Sequence, residues 1–114
     1  MSDAYDRDKL VELFGDDPAT LAEVEREFLA TAEGAEREIA ASNDCSVIAR
    51  AAHRLKGASG MIGAAHLRQI AEAVERAAKA EDLGGVRRMH GTFVQEVRRV
   101  AHQVAGTAEL QLRS

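Results

Sequence analysis

A histidine lies on the polar side of an amphipathic helix within residues 51–64, and a lysine and a glycine follow it at fixed offsets. At about 100° per residue, His53 lies roughly 140° round the helix from Ile48, and Gly57 lies roughly 180° round from it. The imidazole is therefore expected to face solvent. Because a histidine with the ordinary pKa of about 6.5 is mostly neutral at pH 7, this ring could act as a nucleophile toward a large partner. The apolar stripe of the same helix is formed by Ile48, Ala52, Leu55, Ser59 and Ile62.

The lysine and the glycines near His53 have spacings that suit phosphoryl chemistry. Lys56 comes three residues after His53, so its ammonium can pair with a phosphoryl group on the ring and would act as an electrostatic clamp rather than as a base. Gly57 and Gly60 lie on the face of His53, although each glycine costs a helix interior about 1 kcal/mol relative to alanine. Clearance for a docking partner explains that cost. For Gly60 and Gly63 the alternative explanation is that glycine occurs there because the helix frays or ends.

A nucleophilic imidazole also needs an acceptor that holds one ring nitrogen, so that the other nitrogen offers its lone pair. The neighbouring antiparallel helix supplies a candidate, because Glu75 lies about 80° from Leu67 and borders the apolar seam. A carboxylate at that edge could reach across to an imidazole N–H. Glu72, at about 140° from Leu67, is expected to be solvated.

The elements that must position these residues are predicted to be helices throughout. The chain of 114 residues has one proline, one tyrosine and three phenylalanines, and no alternating run of β-branched residues predicts a strand. Apolar residues recur with helical spacing in four long segments joined by short loops, which favours an antiparallel up-down-up-down four-helix bundle. We predict one all-α domain over residues 1–114, with a short additional N-terminal helix. The predicted helices cover about residues 8–14, 18–41, 45–63, 65–81 and 83–108.

The composition argues against several classes of function. A net charge of −4 is unlike that of a general nucleic-acid binder. No stretch approaches the roughly 20 apolar residues that a membrane span needs, and Cys45 is the lone cysteine, so a soluble cytoplasmic protein is expected. His66, His90 and His102 lack the spacing of metal ligands, so no metal site is expected.

The charge near His53 differs from the charge of the whole chain. No acidic residue occurs from Cys45 to Ala71. The surface around the histidine is therefore expected to carry positive potential, which suits a phosphoryl group or an acidic pocket on a partner. An ordinary solvated helix face is the alternative interpretation. The basic residues of this segment are Arg50, Arg54, Lys56 and Arg68.

The segment around His53 and the position of Glu75 together resemble the histidine phosphotransfer (HPt) domain of multistep phosphorelays. The core of the resemblance is His53-Arg54-Leu55-Lys56-Gly57-Ala58-Ser59, which matches the family's His-x-Leu-Lys-Gly-x-Ser sequence. The small residues Ile62-Gly63-Ala64 and the pair Val74-Glu75 also match, although the family often has glutamine where this chain has Glu75. The likeness covers nearly the whole chain, including the leading segment at residues 13–18 and the order of five helices.

The resemblance implies that His53 accepts a phosphoryl group through Nε2 from an aspartyl phosphate of a receiver domain and passes it to another receiver domain. Glu75 would accept the hydrogen bond from Nδ1, Lys56 would stabilise the phosphoryl group, and Gly57 would provide clearance. The partner is expected to dock around the histidine. The residues expected to contact it are Ala49, Arg50, Arg54 and Gly60.

The implied partners are response-regulator receiver domains and a hybrid histidine kinase, and a monomer is expected. No cofactor is expected on this chain, because the resemblance implies that the receiver supplies the Mg²⁺ site. The sequence also lacks a Walker-type glycine-rich loop, so nucleotide binding is not expected. The chain would then be a phosphotransfer intermediate without kinase activity of its own. Two alternatives stay open: a noncatalytic helical adaptor that docks partners through the same face, and the phosphoacceptor domain of a chemotaxis-type histidine kinase.

Overall fold

Five α-helices make up the computed structural model, which describes residues 6–113 and the side chains of residues 6–105. Residues 1–5 and residue 114 of the predicted domain lie outside the described residues. No strand occurs within residues 6–113, so the predicted all-α class is confirmed. None of the described helices is long and apolar enough to cross a membrane. The helices are α1 (Arg7–Phe14), α2 (Pro18–Ala41), α3 (Cys45–Met61), α4 (Ala65–Lys79) and α5 (Leu83–Arg113).

The four long helices form a bundle in which each packs on the next along the chain, and α5 closes the bundle against α2. Short connections make consecutive helices antiparallel neighbours. The interface between α3 and α4 is the most extensive, so side chains at its edge are held close together. That edge positions the candidate site. The large apolar side chains buried in the bundle include Leu21, Ile39, Ile48, Leu55, Leu67 and Phe93.

Side-chain caps fix where α2 and α3 begin. Asp17 accepts a hydrogen bond from the backbone N–H of Thr20 at 3.2 Å, and Pro18 occupies the first turn of α2. Asp44 accepts from the backbone N–H of Ser46 at 2.9 Å, and this hydrogen bond is the main cause that lowers the pKa of Asp44. Both helices therefore start where the capping signals predict.

The corner between α3 and α4 comes earlier than predicted, because α3 ends at Met61 and not at residue 63. Gly63 has a φ of +72°, which breaks the helix, and a Cβ there would lie 2.7 Å from the Cβ of Asp6. The N–H of Asp6 donates to the carbonyl of Ile62 at 3.2 Å. The buried Leu10 brings α1 onto the core. Glycine is therefore required at this corner, both for its backbone angle and for the close approach.

The corner between α4 and α5 also differs from the prediction, because α4 ends at Lys79 and not at residue 81. Glu81 has a φ of 57°, and the N–H of Asp82 donates to the carbonyl of Ala77 at 2.9 Å. This is the Schellman arrangement, which closes a helix with a left-handed residue. No glycine marks this position in the sequence. At its other end α5 extends past the predicted boundary at residue 108.

Candidate functional site

His53 projects from the exposed side of α3, and its ring reaches toward α4. The side chain is 67% exposed, which confirms the predicted exposure. Its Nδ1 atom lies 2.8 Å from Oε2 of Glu75 on the helix that packs against α3. The ring is thus held at one nitrogen while most of the side chain faces solvent.

Glu75 is a nearly buried carboxylate with three nitrogen partners. Its side chain is 5% exposed. Oε1 lies 2.9 Å from Nζ of Lys56, and Oε2 lies 3.2 Å from Nζ of Lys79, in addition to the contact with His53. Hydrogen bonds from Lys56 above all, and from Lys79 and His53, outweigh the effect of burial and lower the pKa of Glu75 to about 2. The carboxylate is therefore ionised at neutral pH.

The charge of Glu75 determines where the neutral imidazole carries its proton. An ionised carboxylate accepts hydrogen bonds and donates none, so Nδ1 of His53 must be the donor in their contact. In the neutral ring the lone pair then resides on Nε2. The geometry therefore supports nucleophilic attack by Nε2 on a group presented from solvent.

Lys56, Gly57 and Gly60 lie further along α3 and differ in their surroundings. The side chain of Lys56 is 25% exposed and is engaged by Glu75. A Cβ placed on Gly57 would meet nothing within 4 Å, whereas one on Gly60 would lie 3.5 Å from the side chain of Arg68. Open space therefore lies over Gly57, as predicted. The open clearance predicted at Gly60 is absent, because the side chain of Arg68 covers that position.

A groove beside the imidazole contains three of the four predicted docking residues. Gly60 is not part of its lining. Arg54 at the groove lies 2.6 Å from Oε2 of Glu38 on α2. Carboxylates from the two flanking helices therefore offset part of the positive charge predicted around the histidine. The groove is lined by Ala49, Arg50, His53, Arg54, Glu75 and Lys79.

Lys79 and Glu38 are site residues that the sequence analysis missed. Lys79 comes four residues after Glu75 on α4, the spacing at which side chains meet on a helix, so a signal for this pair was present. Glu38 is far from Arg54 in the sequence, and the packing of α2 on α3 brings the two together. No local sequence pattern indicates that contact.

A second histidine also lies near a buried carboxylate. Nδ1 of His66 lies 3.5 Å from Oε1 of Glu96, which also lies 3.3 Å from Nη1 of Arg99. This histidine contact is longer than the hydrogen bond of His53. His90 packs edge-on against Phe93, with ring centroids 6.4 Å apart. Among the side chains of residues 6–105, no group of three or more histidine, cysteine, aspartate or glutamate residues could hold a metal ion.

Comparison with known protein families gives a match that spans most of the chain. The family model described as "Hpt domain" matches residues 10–92. The matched segment contains α2, α3 and α4, and with them every residue that lines the groove. No curated protein and no solved structure matches the chain significantly.

Proposed function

The chain belongs to the Hpt domain family, and we propose that it carries a phosphoryl group on His53 between the receiver domains of a phosphorelay. Domains of this family are phosphotransfer intermediates in phosphorelays and interact with receiver domains. The observation that carries the proposal is the exposed imidazole whose Nδ1 is hydrogen-bonded to the nearly buried carboxylate of Glu75. That contact leaves Nε2 as the nucleophile.

The first transfer starts from a receiver domain that carries an aspartyl phosphate. The Nε2 lone pair of His53 attacks phosphorus and forms an N–P bond, while the P–O bond to the aspartate breaks and its electron pair leaves with the receiver carboxylate. The ring keeps its Nδ1 proton and gains positive charge, which Glu75 stabilises from 2.8 Å. In the second transfer another receiver aspartate attacks phosphorus, and the N–P electron pair returns to the ring.

Lys56 and Gly57 serve the phosphoryl group and its carrier. The ammonium of Lys56 is held next to the site by Glu75, and it turns toward the phosphoryl oxygens once they arrive, because phosphoryl transfer depends on neutralisation of charge. The open space over Gly57 admits the receiver. Ala49, Arg50 and Arg54 contact the receiver around the histidine, and the basic side chains of Arg50 and Arg54 complement its acidic pocket.

The receiver and the upstream kinase supply the remaining chemistry. In this scheme the receiver binds Mg²⁺, which neutralises charge on the transferred group. A hybrid histidine kinase feeds phosphate into the relay. This chain itself acts as a cytoplasmic monomer that neither binds ATP nor phosphorylates itself.

The proposal is tested by mixing the purified protein with phosphorylated receiver domains of its source organism and following acid-labile label. The wild type should acquire label, and His53→Gln should acquire none. His66→Gln is the matched control, because His66 is also an exposed histidine beside a buried carboxylate, and this variant should be labelled like the wild type. Absence of label in the wild type with every cognate receiver, or label retained by His53→Gln, would refute the proposal.

Two further outcomes would assign a different function. Label acquired only from ATP and a separate kinase domain would identify the phosphoacceptor domain of a chemotaxis-type histidine kinase. Receivers that bind the wild type and His53→Gln equally, with neither protein labelled, would identify a noncatalytic adaptor. Either result would contradict transfer between receivers.

A further inference from the structure

The carboxylate of Glu75 lies between two ammonium groups that come from different helices. Lys56 of α3 contacts Oε1 at 2.9 Å, and Lys79 of α4 contacts Oε2 at 3.2 Å. Oε2 is also the oxygen that accepts the hydrogen bond from Nδ1 of His53, at 2.8 Å. Lys79 therefore acts on the same atom that holds the imidazole.

A carboxylate by itself has two opposing effects on a nucleophilic imidazole. It orients the ring, but an anion within about 4–6 Å also favours the protonated ring, which has no lone pair with which to attack. A cation on the same oxygen opposes the second effect and leaves the first in place. We infer that Lys79 is a positioning residue that offsets the charge on Oε2, so that Glu75 orients His53 without holding the ring in its protonated form. The inference rests on the proposed function and adds to it a role for a residue outside the motif.

The two lysines differ in ways that suit separate roles. Lys56 contacts the oxygen that does not touch the ring, and its side chain is 25% exposed. Lys79 is 66% exposed and meets Glu75 through the i to i+4 spacing of its own helix. Because this contact is formed within α4, it persists while Lys56 turns to the phosphoryl group.

Other charged groups also lie near the ring, and none of them contacts Oε2 of Glu75 among the described ion pairs. Arg54 is paired with Glu38 of α2 at 2.6 Å. Arg50 lines the groove without a contact to Oε2 among the described ion pairs. The charged groups around the imidazole are Arg50, Arg54 and Lys56 on α3, Glu75 and Lys79 on α4, and Glu38 on α2. Of these, Lys79 is the cation in contact with Oε2.

Three variants test the inference. Lys79→Met removes the charge and keeps the length of the side chain, whereas Lys79→Arg keeps the charge. Arg76→Met is the matched control, because Arg76 is an exposed cation on the same helix that pairs with Glu72 instead. Each variant is assayed for phosphoryl acceptance from a receiver across the pH range, and its imidazole titration is followed by NMR.

Lys79→Met should shift the pH profile of acceptance to higher pH by about half a unit, the size that corresponds to one exposed ion pair. Acceptance then becomes about threefold slower at the acid end of the profile and equals that of the wild type at the alkaline end. Lys79→Arg and Arg76→Met should keep the wild-type profile. The pH at which the His53 ring is half protonated should move by the same amount in Lys79→Met.

A rate that falls equally at every pH in Lys79→Met would overturn the inference, because a docking role would give that result. A ring titration that does not move would overturn it as well. The titration needs no receiver, so it separates the two claims: a wild-type protein that no receiver labels refutes the proposed function, and the ring titration still decides the role of Lys79.

Discussion

Replacement of Glu75 by glutamine removes the charge at the centre of the site while keeping the shape of the side chain. Contacts with its nitrogen partners, Lys56 above all, lower the pKa of Glu75 from the ordinary 4.5 to about 2. Each pKa unit is worth about 1.4 kcal/mol, so the ionised form contributes up to about 3 kcal/mol to the free energy of unfolding. Solvent screening at the exposed Lys79 and His53 reduces this to between about 1 and 3 kcal/mol.

The contribution of Glu75 depends on pH in one direction. Its folded pKa lies below the unfolded value, so the unfolded chain binds the proton more readily between pH 4.5 and about 2. The stabilisation is complete above about pH 5 and is lost as the pH falls through this range. Glu75→Gln lacks the titration. The variant should be less stable than the wild type by about 1–3 kcal/mol at neutral pH, and the difference should shrink by more than half at about pH 3.

Urea unfolding followed by circular dichroism, from about pH 7 down to about pH 3, measures this difference. Glu72→Gln is the matched control on the same helix, because its carboxylate pairs with the exposed Arg76, and it should show a much smaller pH dependence. The buried amide can add a constant offset, so the change with pH is the quantity that decides. A difference between wild type and Glu75→Gln that stays constant with pH would refute the reasoning, since Glu75 would then act through shape and not through charge.

Three other substitutions give separate tests. Lys56→Ala should slow phosphoryl acceptance roughly tenfold with the helical circular dichroism intact, because the phosphoryl group loses its counter-charge; a wild-type rate would contradict the assigned role. Gly57→Leu should block receiver binding in titration calorimetry, because the new side chain fills the open space, although the substitution stabilises the helix by about 1 kcal/mol. Normal phosphoryl exchange with the receiver would contradict the clearance role of Gly57. Glu81→Gly should raise the free energy of unfolding in urea by about 0.5–1 kcal/mol, because Glu81 has a φ of 57° that glycine adopts without strain. A loss of stability would show that the backbone at this corner is not strained.

Helical periodicity was sufficient to predict the central geometry of the site. The angle of His53 from the apolar stripe predicts its exposure, and the position of Glu75 at the border of the next stripe predicts that it can reach the ring; both agree with the structure. These predictions succeed because a regular helix converts sequence spacing directly into direction. The capping residues Asp17 and Asp44 predict the starts of α2 and α3 for a similar local reason.

The features that the sequence did not predict depend on contacts between elements or on local backbone angles. The prediction of positive potential around His53 counts only the charges between Cys45 and Ala71. Glu38 and Glu75 lie on the neighbouring helices and offset part of that positive charge. The covering of Gly60 by Arg68 is a contact between a residue of α3 and a residue of α4. The early end of α4 depends on the left-handed backbone conformation of Glu81. This conformation is rare for glutamate, so the residue type at this position does not predict it.

The ring nitrogen that carries the phosphoryl group tests the central claim most directly, because Glu75 is expected to reserve Nδ1 of His53 for its hydrogen bond. NMR of the phosphorylated protein with ¹⁵N-labelled histidine identifies that nitrogen through its coupling to phosphorus. The phosphoryl group should be on Nε2 of His53. A phosphoryl group on Nδ1, or on any other residue, would contradict the account.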